Sequence, residues 1–139
     1  MKHVLTSLVC GLFGATAFAH HGDAGRFEEE LTTLSGTVVV LQLVNPHASI
    51  LMEVHGEDGS TVRWHVEMEG PQRLVRSFGW NRNTLKAGDR ITVVGRVLKS
   101  GAPHINLTDN ARIISDETCR EIYRSQDLGE ELADTPGCS

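Results

Sequence analysis

The chain predicts an all-β fold with short helices, and three observations carry that prediction. Residues 33–44 are crowded with β-branched side chains. Apolar and polar residues alternate over 48–55, 61–68 and 90–98, the period that sends successive side chains to opposite faces of a strand. Between these runs lie Asn-Pro, Asp-Gly and Ser-Gly steps, which are turn chemistry rather than helix chemistry.

Taken in order, residues 20–32 form a polar N-terminal arm carrying Glu28, Glu29 and Glu30. Residues 33–44 follow as one long strand, with Gly36 placed to allow a bend or bulge. Asn45-Pro46-His47 ends it, because proline cannot donate to a strand ladder. Residues 48–55 and 61–68 form a hairpin. Matching their apolar faces sets Met52 opposite Trp64 and Val54 opposite Val62, which leaves the loop Glu57-Asp58-Gly59 with glycine at the position that wants positive φ. The same register sets Glu53 opposite Arg63, His55 opposite Thr61 and Leu51 opposite His65.

A short helix is predicted next. Pro71 suits its first residue, Leu74 and Phe78 share a face, Gly79 is a natural C-cap, and Trp80 packs back on the core. Residues 85–89 make a turn into a strand over Arg90–Leu98. Ser100-Gly101 turns the chain into a last strand over about 103–114. Asp116–Gln126 has helical composition, and a tail runs to Ser139. Three strands, a short helix and two strands is the order of a five-stranded Greek-key barrel of the OB type. A small two-sheet β-sandwich is the alternative. The domain plan is therefore a leader over 1–19, the arm over 20–32, the barrel over 33–115, and a C-terminal helix and tail over 116–139.

Met1–Ala19 has the pattern of a cleavable signal peptide. Lys2 is followed by an apolar run that ends in Ala17-Phe18-Ala19, a small-x-small cleavage signal. The run is shorter than the roughly 20 residues a membrane span needs. The expected location is periplasmic or secreted, without a stable membrane anchor after cleavage. Cutting after Ala19 leaves 120 of the 139 residues, enough for one modest core. The whole chain carries a formal charge of −5, and losing Lys2 makes it one unit more negative. An acidic chain without a basic block is a poor fit to nucleic acid. Of the three cysteines, Cys10 leaves with the leader. Cys119 and Cys138 then form an even pair, which in an oxidising compartment reads as a disulfide. It closes a loop of about 20 residues and contributes roughly 3 kcal/mol.

The segments AHHG, VNPHASI, WHVEMEGP, LVRSFGW and LKAGDRITVVG occur in the order found in an uncharacterised family of small exported bacterial proteins, a domain of unknown function. The chain resembles that family over roughly residues 19 to 114. The resemblance implies an exported OB-like barrel and brings no activity with it. Gly22 and Ser49 stand where the family usually has a serine and an aromatic residue, so a site using those positions is altered here. The Cys119–Cys138 tail lies outside the resemblance.

Chemistry is sought first among the histidines, seven in the chain. Cleavage after Ala19 gives His20 a free α-amine beside its imidazole, two nitrogens able to chelate one ion. Amine and imidazole nitrogens suit Cu(II), with His21 or His47 as further ligands and His104 as a weaker candidate. A solvated arm is the plainer account of the same residues. His55 and His65 read as exposed strand residues, and Met52, Trp64 and Met68 as core. Glu67 and Glu69 share a strand face as alternating acids. No nucleophile elbow, HExxH or phosphate loop is present. The sequence thus points to an exported binding module of unknown ligand, with copper or another divalent metal foremost. A metal-free module for a ligand or an exported protein partner is the alternative, and a small hydrolase comes third.

Overall fold

The computed structural model describes residues 25–125. The leader and its cleavage site, His20, His21 and Cys138 lie outside the described residues. Within them are seven strands and one helix: β1 Thr32–Gln42, β2 Ser49–His55, β3 Thr61–Glu67, α1 Pro71–Phe78, β4 Arg90–Val97, β5 His104–Asn106, β6 Arg112–Ser115 and β7 Arg120–Arg124. No helix among the described residues is long and apolar enough to cross a membrane.

The strands form one sheet in the order β1-β2-β3-β5-β4, closed by pairing of β1 with β4. This is the closed five-stranded barrel expected, and the single sheet removes the sandwich alternative. β1 is long enough to serve two neighbours. Thr32–Thr37 pair with β4, and Thr37–Gln42 pair with β2. The bulge in β1 falls between Val38 and Val40 rather than at Gly36. Gly36 answers a different need, since a Cβ there would lie 2.6 Å from the Glu53 carbonyl oxygen.

The β2–β3 hairpin has the predicted register, including Met52 with Trp64, Val54 with Val62 and Leu51 with His65. Gly56 and Ser60 close the three-residue loop with a 2.9 Å hydrogen bond, and Gly59 has φ 80°. α1 also runs as predicted. Gly79 is left-handed, and its cap returns backbone N–H groups to the carbonyls of Leu74 and Val75. Trp80 is buried and donates through Nε1 to the Ile122 carbonyl at 2.9 Å. Met52 and Met68 are both fully buried in the core.

Two expectations are corrected. The last strand expected over 103–114 is two strands. Asn106 Oδ1 accepts from the backbone N–H and the hydroxyl of Thr108, which turns the chain out of β5. The polypeptide re-enters the sheet as β6. β5 pairs with Arg96 and Val97 of β4, while β6 takes Ile91–Val94. The helix composition of Asp116–Gln126 is likewise overridden over its described part. Arg120–Arg124 is strand β7, paired with β6. In this conformation Tyr123 is fully buried and donates its hydroxyl to the Leu107 carbonyl at 2.6 Å. The Ile122 carbonyl is free to accept from Trp80, whereas an interior helical carbonyl would be occupied. Tertiary pairing outweighs a weak helix propensity. The arm also contributes, since Phe27 bridges to Leu98 just beyond β4.

Candidate functional site

The parallel pairing of β3 with β5 places His65 beside His104 and Glu67 beside Asn106. Val66 and Ile105, between these positions, are fully buried. Strand alternation therefore turns His65, Glu67 and His104 to the outer face of the barrel. One donor atom from each lies within 4.8 Å of the others. The cluster stands on the β3 face, beside the β1–β2 loop that carries His47 and at the end of the β4–β5 loop. Those are the places where an OB barrel presents ligands.

Glu67 is the centre of the group. Its Oε2 is 3.1 Å from His104 Nε2, and its Oε1 is 3.7 Å from His47 Nδ1. His47 Nδ1 is 3.1 Å from the Met68 carbonyl oxygen. A carbonyl only accepts, so Nδ1 carries the proton and Nε2 keeps its lone pair. His104 and His65 stack at a tilt, with ring centroids 4.9 Å apart, and Phe27 approaches His104 at 5.8 Å.

His104 Nε2 is buried yet makes no aligned hydrogen bond. Its distance to Glu67 is short enough for one, but the direction is wrong, so the contact is close without satisfying the nitrogen. Burial, the largest influence, pulls His104 below the ordinary histidine value of 6.5, and Glu67 opposes that pull. His65 and Arg26 push it in the same downward direction as burial. The neutral ring this favours is the form that coordinates a metal.

Two imidazoles and a carboxylate are a donor set for late first-row divalent ions, typically with open positions left on the metal. Two such donors on one ion sit about 3.4 Å apart, from metal–ligand bonds of 2.0–2.2 Å at tetrahedral angles. The Glu67–His104 pair is already near that spacing, and the exposed His65 closes the set by side-chain rotation.

Of the residues picked from the sequence, His47 and His104 do meet, through the two oxygens of one carboxylate. His20 and His21 lie outside the described residues. His65 and Glu67 were passed over as exposed strand residues. The signal available was His-x-Glu on one strand face, which acquires meaning only once the barrel order sets β5 beside β3. Glu69 is not part of a carboxylate pair, because it binds Arg73 at 2.5 Å. His55 sits apart, 2.8 Å from the Thr61 hydroxyl.

No curated protein and no solved structure matches the chain. Residues 8–106 match the Family of unknown function (DUF6152). That span covers most of the barrel, including His47, His65, Glu67 and His104, and it stops before β6 and β7. The chain belongs to the family of unknown function DUF6152.

Proposed function

We propose that this protein is an exported small β-barrel that binds a late divalent transition-metal ion through His65, Glu67 and His104. The observation that carries the reading is the buried, unsatisfied Nε2 of His104, held 3.1 Å from Glu67 and beside His65. A buried polar atom without a partner costs free energy. An ion at this point would satisfy it and neutralise Glu67 as well. His47 acts from outside the ligand set, holding Glu67 through its second oxygen.

Export is supported by the leader pattern of Met1–Ala19, and an oxidising destination by the even cysteine pair Cys119 and Cys138. On this reading the processed chain begins at His20, resides in the periplasm or outside the cell, and carries a Cys119–Cys138 disulfide. Mass spectrometry of the exported protein checks both the new terminus and the disulfide.

The metal reading is tested by titrating metal-free protein with Zn(II), Ni(II) and Cu(II), following heat and melting temperature. One ion should bind per chain and raise the melting temperature. Substituting His65→Ala, Glu67→Gln or His104→Ala should remove the effect. Equal binding by all three variants would place any metal elsewhere. Absence of binding in the parent would favour a metal-free ligand module on the same face.

A further inference from the structure

The short strap Arg26–Glu28 fixes where the N-terminal arm meets the barrel. Lys99 donates its backbone N–H to the Arg26 carbonyl at 3.0 Å, and Glu28 donates to the Val97 carbonyl at 2.9 Å. Phe27 pairs with Leu98, Leu98 N–H reaches the His104 carbonyl at 3.2 Å, and His104 pairs with His65. Phe27, Leu98, His104 and His65 thus form one lateral row across neighbouring segments. The ring contacts follow it, from Phe27 to His104 and from His104 to His65. The strap therefore ends at the rim of the histidine cluster, and the arm upstream of Arg26 starts from that rim.

Six residues separate His20 from Arg26, a reach of about 20 Å when extended. That far exceeds the 5.8 Å between Phe27 and His104. Two imidazoles and one carboxylate leave positions open on a metal.

We infer that His20, made N-terminal by cleavage after Ala19, completes the outer-face cluster, so that its α-amine and imidazole join His65, Glu67 and His104 around one Cu(II) ion. The inference rests on the cluster being a metal site. Nitrogen-rich donor sets with a carboxylate suit Cu(II) in a tetragonal arrangement. Tethering His20 to the rim makes its approach intramolecular, with an effective concentration in the millimolar range for a short linker. The combined site therefore binds far more tightly than either half.

The test compares processed protein, verified by mass to begin at His20, with the same protein carrying one glycine ahead of His20. Each is made in the parent sequence and with His104→Ala, and Glu67→Gln in the processed form gives a near-isosteric second variant. Circular dichroism melts establish that all are folded. Cu(II) affinity is read by chelator competition, and the nitrogen ligands by electron paramagnetic resonance. The expected result is a loss of about 100-fold on adding the glycine, fewer coordinated nitrogens in the spectrum, and a comparable loss with His104→Ala or Glu67→Gln. If the glycine changes nothing while His104→Ala abolishes binding, the arm is not a ligand and the body cluster stands alone. If the glycine abolishes binding while His104→Ala and Glu67→Gln change nothing, copper sits on the terminus alone, and both the composite site and the cluster reading fall. If no form binds Cu(II) but the parent binds Zn(II) or Ni(II) through the cluster, only the composite copper site is overturned.

Discussion

Thr92 and His104 both place polar atoms in buried surroundings on the same sheet, and they are treated differently. Thr92 is fully buried on β4. Its hydroxyl meets Ser35 Oγ at 2.7 Å and donates to Asp116 Oδ1 at 2.8 Å. That chain links β1, β4 and the segment after β6, and it leaves nothing for a ligand to add. His104 sits beside a carboxylate and another imidazole, yet its Nε2 is left without an aligned partner. Satisfied polar networks fix a structure, whereas an unsatisfied cluster is costly unless something else completes it. The contrast teaches that the first group stabilises the barrel and the second is arranged for a ligand.

Four substitutions or titrations test that division. The largest effect is expected from His104→Ala, which should weaken metal binding by more than about 100-fold, beyond what loss of an outer-sphere partner costs. Its metal-free melting temperature should stay level or rise; a strong fall would make the cluster a structural network like that of Thr92. Thr92→Val is expected to do the converse. It removes a hydroxyl shared by two partners, so stability should drop by about 1–3 kcal/mol in denaturant unfolding, with metal affinity unchanged. His47→Ala should cost roughly 10-fold in metal affinity, because His47 orients Glu67 without joining the three donors. Calorimetry would separate that from a ligand-sized loss.

The smallest effect is in pH. The folded-state value of His104 lies below the ordinary 6.5, so the unfolded chain takes up this proton first as the pH falls. Stability from this group is present above 6.5 and is lost as the pH drops through that value towards the lower folded one. Metal-free protein should therefore unfold more easily on mild acidification, and His104→Ala should flatten that part of the stability curve. A curve of unchanged slope would contradict the assignment.

The hairpin, α1 with its glycine cap and the five-strand order were legible because each rests on local chemistry. Alternation chose the face, Gly59 and Gly79 supplied positive φ, and Pro71 opened the helix. β6 and β7 were not legible. The break after Asn106 depends on a side chain turning back on Thr108, and β7 depends on long-range hydrogen bonds from Trp80 and Tyr123. His47 and His104 were picked out as residues worth attention, but their meeting on Glu67 could not be foreseen. His65 and Glu67 looked like any polar strand positions.

The amino-acid sequence by itself determined an export-type leader, an acidic histidine-rich chain and a small all-β barrel with most of its register. These follow from composition, period and turn residues acting over a few positions. Only the tertiary structure decided which histidines share one carboxylate. That outcome comes from the parallel pairing of β3 with β5, strands separated by the helix and all of β4, and no local pattern encodes a contact made by closing a barrel.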